Sequence, residues 1–210
     1  MERGKTRNEI MEIALDLFSV NGYEATSISQ ISDAVGIRKA SLYSHFGSKQ
    51  EILDAVMEMV LSGFAVSPLL SGADWDDPEF TRDIKGMDAK DAAELIQEQV
   101  RCILHDSVIS RGRRMLTIEQ FRNEEMAALQ TGQNYENILK YFEGMISLLI
   151  ADRTLRGEDT AIMAAQLALP VMGWLDLCGR EPGREKEVME LLQRHVEQFF
   201  RIYGKKRQNN

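Results

Sequence analysis

The sequence predicts an all-α protein, a three-helix head joined by a long helix to a larger helical bundle. Three observations carry this. Glycine and proline are sparse, 15 and 4 among 210 residues, while Ala, Leu, Ile, Met, Glu, Arg and Gln abound. Apolar residues recur every three or four positions along most of the chain, the period of a buried helix face. Start and stop signals for helices punctuate that pattern. A chain of this length suits one compact unit or two small helical domains and can bury a sizeable core. We place the head at residues 1–47 and the bundle at 48–210.

Each element has its local reason. Thr6 and Glu9 form a capping box that opens the first helix, with Ile10, Ile13, Ala14, Leu17 and Phe18 as its inward stripe and Asn21-Gly22 as its end. The arm before it carries Arg3, Lys5 and Arg7, which either reach a phosphate or minor groove or fray. Ser27 caps a second helix, Gln30 completes its box, and Ile28, Ile31 and Val35 recur within it. Gly36 ends it, since a residue without Cβ enters the left-handed region at little cost. A short third helix runs from about Arg38 to Phe46, buried through Ile37, Leu42 and Phe46, and stops at Gly47. Ser48, with Glu51 as box partner, opens the long helix to about Ala65; Ile52, Leu53, Val56, Met57, Val60, Leu61 and Phe64 face inward.

Pro68 stops the long helix, and 67–88 reads as a linker or loop too polar for core, in which Trp75 and Phe80 either form a lid over a pocket or pin the loop to a helix. Further helices are expected over about 88–110, 113–122, 125–155 with a break near Thr131-Gly132, 158–178 and 184–203. Pro170 predicts a kink or a freed carbonyl near Gln166. The stretch from Ala161 to Leu177 is almost wholly apolar, so its helix must be covered on most sides, within the bundle or by another subunit.

The net charge of -8 taken whole argues against nucleic acid. Its distribution argues the other way. In residues 1–50, Arg3, Lys5, Arg7, Arg38, Lys39 and Lys49 balance Glu2, Glu9, Glu12, Asp16, Glu24 and Asp33, so the whole excess lies in 51–210. From Ala34 to Gln50 there is no Asp or Glu, while Arg38, Lys39, Lys49, Ser41, Tyr43, Ser44 and His45 fall there. Cations neutralise phosphates, and hydroxyl and imidazole groups bond phosphate oxygens or base edges. A short helix with these groups near its N-terminus fits a major groove about 12 Å wide. The stretch is therefore read as a helix-turn-helix that docks on double-stranded DNA.

Other chemistry lacks its residues. His105 and His195 stand alone on separate helices, and no metal-ligand spacing, nucleophile elbow, phosphate loop or dinucleotide fingerprint is present, so neither metal, cofactor nor catalytic site is expected. Cys102 and Cys178 lack the CxxC spacing of a redox pair and read as small buried hydrophobes in a reducing cytoplasm. No leader and no run of about 18 apolar residues is found, so no membrane partner is expected. The 11 methionines fill a helical core, though Met57, Met145, Met163 and Met172 equally suit a yielding apolar pocket.

The segment TSISQISDAVGIRKASLYSHFGSKQEIL resembles the DNA-binding segment of the TetR family of bacterial transcriptional regulators, most specifically from Gly36 to Leu53. The likeness at the level of motifs covers about residues 8–56; beyond it only helix order and length are similar. The resemblance implies a larger helical-bundle domain for ligand binding and dimerisation, a homodimer through the last two helices, a near-palindromic DNA operator, and an unidentified small-molecule effector whose pocket residues are unknown. It implies that Thr26 and Ser27 contact a phosphate, that Lys39, Ala40 and Ser41 open the recognition helix where bases are read, and that Tyr43, His45 and Lys49 hold phosphates. Two positions depart from the pattern. Ser44 is smaller than the residue often found there, which shortens the reach on that face, and Arg38 is longer and adds a base contact. The expected activity is repression relieved by the effector. The rival readings are a regulator that answers to a protein partner or to none and, remotely, a helical-bundle enzyme.

Overall fold

The computed structural model describes residues 3–205, with side chains from residue 7 onward. Among the described residues twelve α-helices run in chain order: α1 Arg3–Asn21, α2 Ile28–Val35, α3 Lys39–Tyr43, α4 Lys49–Ala65, α5 Pro68–Ser71, α6 Pro78–Arg82, α7 Ala89–His105, α8 Ser107–Glu119, α9 Glu124–Thr131, α10 Asn137–Ala151, α11 Thr160–Arg180 and α12 Glu185–Tyr203. A π-turn, Gly132–Glu136, joins α9 to α10, and a 3-10 turn, Pro182–Arg184, precedes α12. The β-pairing among the described residues is an isolated bridge between Leu155 and Gly204. The chain forms two compact units, Met1–Val66 with Asp106–Thr131, and Ser67–His105 with Gly132–Asn210.

The first unit is larger than the 1–47 head expected, because α4, α8 and α9 pack with it. Its core joins Ile10, Leu15 and Phe18 of α1 to Ile31, Leu42, Phe46, Ile52, Val56 and Val60, with Met115 and Leu116 from α8. A Cβ on Gly112 would lie far inside van der Waals contact with the Val60 side chain, so the missing side chain lets α8 approach α4 closely. α8 is also tied to α1 by charge. Arg111, a side chain only 12% exposed, donates to Glu12 at 2.6 Å and to Asp16 at 2.7 Å. Burial works against its charge, but the hydrogen bonds to Asp16 and Glu12 outweigh that and raise its pKa.

In the second unit α10 packs along α11, and α7 along α12. Several expectations change here. The long helix ends at Ala65 as expected, but the segment 67–88 is not a polar loop: Pro68 and Pro78 each begin a short helix, and Leu69, Leu70, Thr81, Ile84 and Met87 are buried. Trp75 pins this segment to α10, its ring 5.4 Å from Tyr141 and 5.4 Å from Phe80. The notch that receives the indole is Gly144, where a Cβ would collide with the ring.

Helix boundaries change too. The helix expected over 88–110 breaks after His105, because the Asp106 carboxylate accepts the Val108 and Ile109 N–H groups at 2.9 and 2.8 Å and starts α8. The break expected near Thr131-Gly132 is the π-turn, a register slip rather than an end. Helix α1 begins at Arg3, so Thr6 lies inside it and does not cap it; the Thr6, Arg3 and Lys5 side chains fall outside those described. α11 runs unbroken through Pro170. It is also the one described helix long and apolar enough, by composition, to cross a membrane. Its inner side, including Met163, Leu167, Val171 and Leu175, is buried. Its outer side leaves Ile162 57% and Leu169 46% exposed. The chain continues past α12 into a clasp: the Arg156 N–H donates to the Tyr203 carbonyl and the Lys205 N–H to that of Thr154.

Candidate DNA-binding face

The face is built from short-range signals. Ser27 takes extended φ and ψ, its Oγ accepts the Gln30 N–H at 3.2 Å, and the Gln30 side chain accepts the Ser27 N–H at 2.7 Å. Both halves of the expected box are present. Gly36 sits at φ 77 and turns the chain, its N–H reaching Asp33 and Ser32. Arg38 is the extended residue before α3. That helix is shorter than expected, Lys39–Tyr43, although helix-type bonds from His45 and Phe46 back to Leu42 carry the coil to Phe46. Ser48 Oγ accepts the Glu51 N–H at 3.1 Å, while the Glu51 carboxylate accepts from Gly47 rather than Ser48.

Leu42 and Phe46 anchor α3 inward. The opposite side presents Arg38, Lys39, Ala40, Ser41, Tyr43 and Ser44 to solvent, Tyr43 being 51% exposed. Ser44 Oγ donates to the Ser41 carbonyl at 2.6 Å. His45 is half-buried. Lys49 lies at the start of α4 with Nζ 4.0 Å from the centre of the Tyr23 ring and 3.5 Å from the Glu24 carbonyl. Ser27 is exposed, and its Oγ accepts from Gln30 while its own proton is left to donate.

Two expectations fail. Thr26 is 1% exposed; its hydroxyl donates to the Gly22 carbonyl at 2.8 Å and its N–H to the Tyr23 carbonyl at 3.2 Å, so it sets the turn and offers nothing to a phosphate. Arg7 is not a free basic arm. Its guanidinium lies 4.1 Å from the centre of the Phe46 ring, donates to the His45 carbonyl at 2.9 Å and stands 3.9 Å from Glu51.

Sequence reasoning also missed Tyr23. Its ring lies under Lys49, meets Phe18 edge-on at 5.5 Å, and its hydroxyl donates to Gln50 at 3.1 Å. Burial first, then the charges of Glu24 and Asp54, raises the Tyr23 phenol above its ordinary pKa, so it stays a neutral donor. No spacing rule links Tyr23 to Lys49, 26 positions on; only the fold brings them together.

Away from this face the second unit has a groove of about 560 Å³ between α7 and α12, lined by Gln97, Arg101, Glu185, Lys186 and Met189 among others. His105 stands beside it, 3.0 Å from Glu185. His195 places Nε2 3.2 Å from the Leu167 carbonyl, which can only accept, so that nitrogen carries the proton. Among the described residues no three His, Cys, Asp or Glu side chains gather as a metal site.

A capped helix, a left-handed glycine turn and an acid-free helix bearing outward cations and hydroxyls define a helix-turn-helix DNA-binding transcription regulator. Residues 10–56 match the family of bacterial regulatory proteins, tetR family. The HTH-type transcriptional repressor KstR2 of Rhodococcus jostii is 29% identical over 177 residues, which cover 78% of this chain and 80% of that protein. Several other relatives align over less than a third of their own length, little more than the head, while the HTH-type transcriptional regulator AcrR of Shigella flexneri is 27% identical over 136 residues, 63% of this chain and 57% of that protein. Among solved structures, a transcriptional regulator from Saccharomonospora viridis in complex with choline has a TM-score of 0.65 at 18% identity, covering 97% of this chain and 100% of that one. A SmeT–triclosan complex has a TM-score of 0.59 at 22% identity, covering 97% and 93%. Residues 10–56 thus carry the DNA-binding domain of the tetR family of bacterial regulatory proteins, and most of the chain is similar to a transcriptional repressor.

Proposed function

We propose that the protein is a homodimeric repressor which binds a near-palindromic operator and leaves it when a small molecule binds the second unit. The observation that carries the DNA part is the outward row on α3, free of acidic side chains from Ala34 to Gln50. In this reading Arg38, Lys39, Ala40 and Ser41 read base edges, while Ser27, Tyr43, His45 and Lys49 hold phosphates. Ser44, small and bonded to its own helix, stands at the edge of that face. The dimer part is supported by the exposed Ile162 and Leu169 on α11 and Ile202 on α12, apolar side chains that a mate would cover. A two-fold axis would set two α3 helices about 34–36 Å apart.

The effector part is supported by relatives of this fold solved with choline and with triclosan. The effector need only prefer the arrangement that misfits DNA, and a coupling of about 1–3 kcal/mol suffices. The site of action is the cytoplasm, where a bacterial operator lies.

Fluorescence anisotropy on DNA from upstream of its own gene, against a scrambled duplex over a salt series, tests this. Tight, selective, salt-sensitive binding is expected. Lys39→Ala should relax the base preference by about 1–3 kcal/mol, and Tyr43→Ala should weaken all sequences alike. Equal binding of Lys39→Ala and wild type to every single-base variant would move base reading away from α3. Absence of DNA binding at low salt would overturn the whole reading.

A further inference from the structure

We infer that Glu119, the last residue of α8, is a positioning residue for the DNA-facing lysine Lys49. The contacts form an unbroken line within the first unit. Glu119 is 3% exposed, and its Oε1 accepts the Tyr23 N–H at 2.7 Å. This bond holds the turn between α1 and α2 from a point 96 positions later in the chain. Gly22, at φ 81, is what admits the carboxylate, since a Cβ there would sit 2.7 Å from Glu119 Oε1. The same turn supplies both groups that hold Lys49: the Tyr23 ring beneath Nζ at 4.0 Å and the Glu24 carbonyl at 3.5 Å. The Tyr23 hydroxyl, bonded to Gln50, ties the ring to the start of α4.

The chemistry explains why a tether is useful. A lysine is a point charge on a flexible stem, and ordering it on a phosphate costs rotamer entropy. A ring face and a carbonyl already in place hold the ammonium at the surface and lower that cost. The ring is no better placed than its backbone, and its backbone is held by Glu119. Arg111, on the same helix, binds Glu12 and Asp16, so α8 grips α1 itself and the turn that follows it. A carboxylate in this position looks misplaced on a DNA-binding unit. Buried and bonded to the Tyr23 N–H, it faces the turn rather than solvent.

The inference rests on the proposed contact of Lys49 with a phosphate, and the test separates the two. The full-length protein is titrated with a fluorescein-labelled mixed-sequence duplex at several salt concentrations. Wild type, Lys49→Ala, Glu119→Ala and the double variant are compared. Each phosphate contact contributes about 0.9 to the slope of log K against log salt. Lys49→Ala should lower that slope by about 0.9 per head. Glu119→Ala should lower it by a similar amount, and the double variant should lose no more than Lys49→Ala alone. Glu119→Gln, whose amide oxygen still accepts the Tyr23 N–H, should restore the slope.

Should Glu119→Ala lower the melting temperature, Glu119→Asp, which keeps the charge and shortens the reach, takes its place in the cycle. An unchanged slope in Lys49→Ala, or a wild type that binds no DNA, overturns the phosphate contact and this inference with it. A reduced slope in Lys49→Ala with losses that multiply in the double variant overturns the inference alone. So does a Glu119→Gln variant as impaired as Glu119→Ala.

Discussion

At the scale of single residues, the structure gives each cation of the head its own set of partners. Arg7 and Lys49 are both half-buried cations in or beside the head; Arg7 sits on Phe46, the His45 carbonyl and Glu51, and Lys49 on Tyr23 and the Glu24 carbonyl, without a carboxylate partner among the ion pairs described. Arg7→Ala should therefore cost about 1 kcal/mol of stability in urea unfolding, the Arg7 and Glu51 side chains being partly exposed. It should leave the salt slope of DNA binding unchanged; a slope reduced as in Lys49→Ala would make Arg7 a phosphate contact after all. Tyr141 gives a second test. Burial raises its phenol to about 12 from the usual 10. Between those values the unfolded chain ionises and the folded one does not, so the unfolded state binds fewer protons and stability falls as pH rises. A loss on the order of 2 kcal/mol between pH 10 and 12 is expected from this residue. Denaturant melts of Tyr141→Phe should lack that part of the decline.

At the scale of elements, helices were legible where a cap lies within four residues of the end. Ser27-Gln30, Gly36 and Ser48-Glu51 mark ends that the structure keeps. The cap at Asp106 was equally local but hidden, because Ile103, Leu104 and Val108 continue the apolar period across it. The burial of 67–88 was not legible, although pinning by Trp75 was one of the two readings the sequence left open. The segment's acids suggest a solvated loop, yet Leu69 and Leu70 are wholly buried and Trp75 is seated on Gly144 of α10, 69 positions away. Gly144→Ala tests that seat. The indole must move, at a cost of about 1–3 kcal/mol, and tryptophan emission should shift to the red in a Trp174→Phe background. Unaltered emission and stability would mean that Trp75 does not pin the segment.

At the scale of the whole molecule, one chain covers the inner side of α11 and leaves Ile162 and Leu169 outside. The apolar run from Ala161 to Leu177 already implied cover on most sides, and what remains uncovered is what the proposed dimer would bury. Leu169→Glu should raise the dimer dissociation constant roughly a hundredfold or more, since a buried unpaired charge costs several kcal/mol. Sedimentation equilibrium measures it, and a variant that stays dimeric at wild-type concentrations would place the interface elsewhere.

The all-α class, the two short helices of the head and the outward cations of α3 followed from the sequence by itself. Caps, turn glycines and helical period act over a few residues, and the side chains that encode them stand next to one another. The tertiary structure alone decided that Thr26 closes a turn, that Arg7 braces Phe46, that α4 and α8 belong with the head, and that Glu119 reaches Tyr23. Each of those outcomes depends on a group brought near by folding rather than by the chain. Burial and hydrogen bonding act on whatever atoms lie within a few ångströms, however far apart they are in sequence.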